Sequence, residues 1–268
     1  MAASDRPAVR SQALAAAAWL DVCDLLDLQL SPLGQAAIDA LAPRRSEVIV
    51  DVGCGAGQTV LQLAERVGPE GQVVGVDIAP LLLDRARSRA AGLRQARFIA
   101  CDAAQLRLAE ASVDGLFSRF GVMAFSDPVA AFSSFRRPMK QSGRLAFVCW
   151  RALEENELDI LPLRAAELED RVDHTPFSFE DPKVIRTVLT AAGFAQVVVR
   201  PYDHSVSSGS LDAMVTVLLK VGAVGKIVRE NPELREGAEH RLRAALAPRI
   251  VQGQVALNAA VWVVTATA

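Results

Sequence analysis

The chain has 268 residues, of which 51% are hydrophobic and 22% charged, enough apolar sequence for one large core. Its 29 basic and 31 acidic residues give a formal net charge of -2, so nucleic acid is not expected as a partner. No apolar run approaches the roughly 20 residues that span a bilayer, so we expect a cytoplasmic chain without membrane insertion. The four cysteines are scattered, and no metal site is predicted.

Apolar spacing predicts two helices between Ser11 and about Leu41, separated near Ser31 and Pro32, with Ser31 as the cap of the second helix. Strands and helices then alternate over short connections, which predicts a parallel sheet with helices on both faces. The strands are expected at 47–52, 71–77, 96–101, 113–118 and 143–150, and the helices at 59–67, 80–91 and 128–137.

The second half of the chain interrupts this alternation twice. A charged insertion carries one predicted helix at about 155–170, and a mostly helical insertion covers 204 to about 254. Between them a helix is predicted from Asp181-Pro182 to Gly193, followed by a strand at 195–202. The chain ends in a β-rich run at 256–267.

The clearest motif is a glycine-rich turn between the first predicted strand and the next helix. It reads Asp51-Val52-Gly53-Cys54-Gly55-Ala56-Gly57. Glycines let the backbone turn tightly and let a ligand approach without meeting a Cβ. A strand, a glycine turn and a helix N-terminus in this order are typical of nucleotide-type sites, although a plain tight turn uses the same residues.

Two further acidic residues end the next two predicted strands. Asp77 follows the turn by about 20 residues, where a carboxylate can accept hydrogen bonds from ribose hydroxyls. Asp102 ends the third strand, where it can accept from an adenine amino group while the N–H of Ala103 faces a ring nitrogen. For both carboxylates the alternative is a helix cap.

These motifs, with Phe117-Ser118-Arg119-Phe120 after the fourth strand, resemble class I S-adenosylmethionine-dependent methyltransferases over roughly residues 47–150. The stretches 118–123 and 142–150 resemble a bacterial branch of type 11-like enzymes related to the quinone-biosynthesis methyltransferases. The resemblance implies S-adenosylmethionine as cofactor, and it implies an O- or C-methylated small-molecule acceptor more than an N-methylated one. The implied cofactor-binding residues are Asp51, Gly53, Gly55 and Gly57 around the methionine part, Asp77 and Ile78, Asp102 and Ala103 at the adenine, and Ser118 on the methyl-transfer side.

The resemblance also implies an α/β fold, a Rossmann-like, doubly wound sheet of seven strands, mostly parallel with an antiparallel last strand. We expect a single methyltransferase domain over 1–268. Its core would comprise about 43–150, 182–202 and 256–268. Helical cap insertions from 8–42, 151–181 and 203–255 would enclose the acceptor, and apolar surface on this cap could support a homodimer.

Three other functions compete with this interpretation. A NAD-dependent oxidoreductase would have its third glycine one place later, where the chain has Gln58. A nucleic-acid or protein amino-methyltransferase would carry an Asn/Asp-Pro-Pro-aromatic run where Ser118-Arg119-Phe120-Gly121 stands. A non-catalytic S-adenosylmethionine-binding protein would keep the same site residues, and the sequence leaves this alternative open.

Catalytic side chains are harder to identify from the sequence. A general base assists methyl transfer when the acceptor is a hydroxyl or a carbon acid. His174 and His204 fall in the predicted cap and are weak candidates, because a surface or structural role fits them as well. Arg119 could bind an acidic acceptor group or pair with a carboxylate of the cap. His240 is expected on a solvated helix face.

Overall fold

The computed structural model describes residues 7–268, with side chains from residue 11 onward. The chain divides into two compact units. Within the described residues, the first comprises 7–32, 152–174 and 203–260, and the second comprises 33–151, 175–202 and 261–268. The expectation of a single domain with a cap stays a prediction.

The second unit contains most of a seven-stranded sheet. Its strands are β1 (Val48–Val52), β2 (Gln72–Asp77), β3 (Ala96–Ala100), β4 (Val113–Arg119), β5 (Met139–Trp150), β6 (Ala195–Val206) and β9 (Leu257–Thr267). They lie in the order β3-β2-β1-β4-β5-β9-β6. Strands β1 to β5 pair in parallel with one another, and β9 runs antiparallel to β5 in a register that pairs Trp150 with Val261 and Arg144 with Thr267. The predicted fold class is therefore confirmed.

Four helices accompany this sheet: α3 (Gln58–Val67), α4 (Pro80–Arg89), α5 (Pro128–Arg136) and α7 (Pro182–Ala191). Two of them begin as the sequence predicts, with a proline in the first turn after an aspartate whose side chain accepts from a backbone N–H. Their apolar faces and the strands bury a core that contains Phe117, Phe132 and Phe147.

The first two helices differ from the prediction. They are α1 (Pro7–Asp21) and α2 (Cys23–Leu41), so the break lies at Val22 and Pro32 is inside α2. The expected boundary at Ser31-Pro32 was wrong. Leu30 and Leu33 on either side of the proline are almost fully buried. This packing outweighs the one backbone hydrogen bond that an interior proline removes.

The first unit is mainly helical. Besides the start of the chain it contains α6 (Glu157–Ala166), α8 (Leu211–Leu218), α9 (Gly222–Glu230) and α10 (Arg235–Leu246). A short hairpin that the sequence did not predict, β7 (Ile250–Val251) with β8 (Gln254–Val255), follows α10. The buried Asn156 accepts from Ala260 N at 2.8 Å, and Glu157 accepts from Asn258 N at 2.9 Å. Two side chains at the start of α6 thus bind the backbone of residues 258–260, which belong to the same unit.

Across the part of the chain that the structure describes, no helix has both the length and the apolar character needed to cross a bilayer.

Candidate cofactor site

The glycine turn has the backbone that only glycine adopts easily. Gly53, Gly55 and Gly57 have φ angles of 73°, 52° and 85°. A Cβ on Gly57 would lie 2.8 Å from the Cβ of Ala86, so this glycine lets the turn pack on α4. A Cβ on Gly55 would meet nothing within 4 Å. The turn therefore presents open backbone at Gly55, which is the kind of surface a ligand can cover.

Asp51 is a fully buried carboxylate at the end of β1. Its Oδ2 accepts a hydrogen bond from the hydroxyl of Thr59 in α3, and its Oδ1 has no partner within the protein. Burial raises the pKa of Asp51 from 3.8 to about 7, against the lowering effects of the Thr59 hydrogen bond and the Arg119 charge, while Asp77 raises it further. A buried oxygen without a partner is costly. Oδ1 of Asp51 is therefore suited to bind a positively charged group of a ligand.

Asp77 ties the end of β2 to the glycine turn. Its Oδ2 accepts from Gly55 N at 2.8 Å, and its Oδ1 accepts from Ala79 N at 2.8 Å. The carboxylate is half-buried, and each of its oxygens can still accept a further hydrogen bond. Asp77 thus fixes the turn and keeps capacity for hydroxyl donors.

Asp102 follows β3 and caps the short helical turn Ala103–Gln105, accepting from Ala104 N at 2.9 Å. The helix-cap alternative therefore describes its local contact. Asp102 and Ala103 are both half-buried, and the side chain of Ile78 is 56% exposed just beyond Asp77. Exposed apolar surface next to a carboxylate suits a flat ligand with polar edges.

Ser118 lies near the end of β4 and is buried, unlike the half-buried Asp77 and Asp102. Its side chain is fully buried, and its hydroxyl donates to Val52 O at 2.7 Å and accepts from Gly121 N at 3.0 Å. The loop after β4 is thereby held against the end of β1. The backbones meet closely there, since a Cβ on Gly53 would lie 2.7 Å from the Cα of Gly121.

Arg119 points toward the start of α3 rather than along the loop. Its Nη1 donates to the side-chain oxygen of Gln58, and its stem packs on Gly34, where a Cβ would lie 3.0 Å from Cδ. Its charge lowers the pKa of Asp51, which partly offsets the effect of burial. Arg119 is therefore held at the start of α3, where the residue after Gln58, Thr59, binds Asp51.

The histidine candidates lie in the first unit. His174 is exposed and His204 half-buried, and their candidacy as bases stays a prediction. His240 is exposed on α10. Among the described residues no group of three or more His, Cys, Asp or Glu side chains could hold a metal ion.

Sequence reasoning missed several contacts in this region. It did not identify Thr59 as the partner of Asp51, the contact between Gly53 and Gly121, or the stacked rings of Phe120 and Trp150. A signal existed only for Gly121, as a glycine shortly after a strand. Thr59 lies eight residues after Asp51, in the helix beyond the glycine turn, and Phe120 and Trp150 lie at the ends of different strands. No local pattern indicates either contact.

Known proteins resemble this chain in both sequence and fold. A family model described as a methyltransferase domain matches residues 43–187, more than half of the chain. Aklanonic acid methyltransferase DauC of Streptomyces sp. (strain C5) is 33% identical over 119 residues, which are 44% of this chain and 54% of that protein. The match thus spans about half the length of this relative. Nocamycin O-methyltransferase of Saccharothrix syringae is 28% identical over 203 residues, covering 69% of this chain and 72% of that protein.

One solved structure shows the likeness of fold. It is phosphoethanolamine N-methyltransferase 2 of Haemonchus contortus in complex with S-adenosyl-L-methionine. Its TM-score is 0.59 at 16% sequence identity, over 98% of this chain and 58% of that one. At this identity the comparison speaks for the architecture alone.

Proposed function

The chain belongs to the family of S-adenosylmethionine-dependent methyltransferases, and we propose that it methylates an oxygen or carbon atom of a small-molecule acceptor. The observation that carries this proposal is the series of carboxylates at the ends of three adjacent parallel strands. Asp51 is the next-to-last residue of β1, Asp77 is the last residue of β2, and Asp102 follows β3. Ligands of open parallel sheets bind beyond the carboxyl ends of the strands.

Each part of the cofactor has a matching group in this series. The proposed partner of the methionine ammonium is Oδ1 of Asp51, the buried oxygen that has no hydrogen bond within the protein. Asp77 would accept from the ribose hydroxyls, and Ile78 would contact the adenine ring. Asp102 and the N–H of Ala103 would bind the adenine edge. Ser118 would act through the backbone, because its hydroxyl already binds Val52 and Gly121.

The chemistry requires little from the protein beyond positioning. When bound, S-adenosylmethionine would supply a methyl group on a sulfonium, and the methyl–sulfur bond would break as the acceptor bond forms, leaving the electron pair on sulfur. Precise alignment and exclusion of water then provide most of the acceleration. The acceptor proton passes to water or a base, for which His174 and His204 remain the predicted candidates.

The acceptor class is supported by the relatives. One relative is named for aklanonic acid and the other for O-methylation of nocamycin, and both are small molecules. The near-neutral charge of the chain agrees with this class, since a nucleic-acid substrate would favour a basic surface.

The first test is calorimetric titration with S-adenosylhomocysteine. We expect micromolar binding by the unaltered protein and at least about a 100-fold loss in Asp77→Ala, because ribose hydroxyls would lose their acceptor. The matched control is Asp84→Ala, which removes an exposed carboxylate of α4 that pairs with Arg87. This variant should bind as the unaltered protein does.

Two results would overturn the proposal. One is the absence of S-adenosylhomocysteine binding by the unaltered protein, and the other is binding of NAD instead. If binding is present, a screen with methyl-labelled S-adenosylmethionine and panels of phenols, acids and carbon acids identifies the acceptor atom. Transfer to none of them would favour the non-catalytic alternative.

A further inference from the structure

Two aromatic rings are stacked at the carboxyl ends of β4 and β5. The centroids of Phe120 and Trp150 are 4.1 Å apart, and the ring planes are 13° from parallel. The backbone N–H of Phe120 donates to Val148 O at 3.1 Å, so the first ring is anchored to the strand that carries the second. The stack therefore lies at the sheet edge where ligands of this fold bind.

The backbone at Phe120 is strained. Its φ angle is 64°, in the left-handed region that bulky residues rarely adopt. The next residue, Gly121, is pressed against β1, since a Cβ there would lie 2.3 Å from Val52 O. Phe120 is thus held in an unfavourable backbone conformation, directly before Gly121, which contacts Gly53 of the glycine turn. Strain of this kind persists at functional positions when the surroundings enforce it.

The stack is not simply part of the core. Phe132 and Phe147 of the same unit are completely buried, and their rings are tilted by 36° at 5.7 Å, as in ordinary packing. Phe120 and Trp150 are only half-buried. Both residues pack against the core on one side and keep part of their surface accessible at the sheet edge, and aromatic rings favour planar conjugated partners over saturated ones.

On the premise of the proposed methyl transfer, we propose that the stack of Phe120 and Trp150 is the platform for the acceptor. The acceptor is accordingly a planar conjugated ring, such as a phenol or a fused aromatic. The contact between Gly53 and Gly121 places this platform next to the turn that would hold the methionine part of the cofactor. A ring stacked there extends the existing pair.

The test uses the full chain saturated with S-adenosylhomocysteine and two probes with the same carbon skeleton. The probes are 1-naphthol, which is planar, and decahydro-1-naphthol, which is not. We expect 1-naphthol to bind about tenfold more tightly, because aromatic stacking favours the planar ring. Phe120→Leu should weaken 1-naphthol about 3- to 10-fold and leave decahydro-1-naphthol unchanged, whereas Phe120→Tyr should keep the preference.

The matched control is Trp262→Leu, which removes a half-buried aromatic outside the stack whose ring lies under Arg151. It should not change the affinity for either probe. A second measurement works without any change to the stack. In protein labelled with 5-fluorotryptophan, 1-naphthol should shift the fluorine signal of Trp150 among the three tryptophans. The Trp150→Phe variant assigns that signal.

The outcomes separate this proposal from the proposed function. If S-adenosylhomocysteine binds but the two probes bind equally, or if the Trp150 signal does not move, the platform is refuted and methyl transfer stands. If S-adenosylhomocysteine does not bind to the unaltered protein, the proposed function fails and the platform fails with it. A Phe120→Leu variant that does not fold leaves the fluorine measurement to decide.

Discussion

Two buried carboxylates, one in each unit, are used in different ways. Asp51 ends β1 beside the glycine turn, and Asp159 lies in α6 of the first unit. Burial raises the pKa of Asp51 to about 7 and that of Asp159 to about 6. Both positions cost free energy, because an ionised carboxylate loses its hydration there.

The partners of the two groups differ. Oδ1 of Asp159 accepts from Ala223 N at 3.3 Å, in the first turn of α9, where the positive helix end favours a carboxylate. Asp51 has Thr59 on one oxygen and nothing on the other. Oδ1 of Asp159 thus binds a backbone N–H of the protein, whereas Oδ1 of Asp51 has no hydrogen-bond partner within the protein. Burial of a carboxylate alone therefore does not indicate a ligand site. A buried carboxylate oxygen without a hydrogen-bond partner is the better indicator.

The largest expected effect concerns the pH dependence that Asp51 imposes. Between pH 3.8 and about 7 the folded protein keeps a proton that the unfolded chain has lost, so stability falls as pH rises through this window. The full effect is about 4 kcal/mol, at about 1.4 kcal/mol per pKa unit. We expect urea unfolding to show this effect. Between pH 4 and 8, the difference in free energy of unfolding between the unaltered protein and Asp51→Asn should change by about 4 kcal/mol.

The ligand sharpens this prediction. Saturating S-adenosylhomocysteine should stabilise the ionised form of Asp51, and the pH dependence due to this residue should largely disappear. Affinity for S-adenosylhomocysteine should accordingly rise with pH through about 7. An identical pH dependence with and without the ligand would contradict the assignment of Oδ1 to a charged ligand group.

The next effect is the corresponding one for Asp159, of about 3 kcal/mol. Here too the folded state holds the extra proton, so stability falls as pH rises from 3.8 to about 6. Asp159→Asn should remove this dependence, and the amide oxygen can still accept from Ala223 N. Unlike Asp51, this residue should show the same pH profile whether or not S-adenosylhomocysteine is present. If S-adenosylhomocysteine altered the pH profile due to Asp159, the proposed difference between Asp159 and Asp51 would be contradicted.

The smallest effect compares Gly55, in the turn that follows Asp51, with Gly222, which adjoins Asp159. Gly55 has φ 52° and Gly222 has φ 79°, so alanine at either position should cost at least about 1 kcal/mol of stability. A Cβ on Gly222 would lie 3.2 Å from Oδ1 of Asp159, whereas one on Gly55 projects into open space. Thermal unfolding should therefore report a larger loss for Gly222→Ala than for Gly55→Ala. Calorimetry should show weaker S-adenosylhomocysteine binding for Gly55→Ala alone, and equal affinities would contradict the ligand surface at Gly55.

Local patterns in the sequence were sufficient for most of the sheet. The β-branched run before the glycine turn became β1, and the Asp-Pro pairs before α5 and α7 became helix starts. Local signals failed at Pro32, because burial of Leu30 and Leu33 kept α2 continuous through a residue that usually ends a helix. The hairpin of β7 and β8 was missed within a mostly helical stretch.

For the candidate site, the sequence by itself determined the glycine turn and the carboxylates of Asp51, Asp77 and Asp102, since each lies at or just beyond the carboxyl end of a strand and these strand ends share one edge of the sheet. Only the tertiary structure decided which carboxylate oxygens remain available. Thr59 covers one oxygen of Asp51, and the buried Ser118 is used to hold the loop. Such contacts depend on distances between elements, which are set by packing of the whole core rather than by any local run of residues.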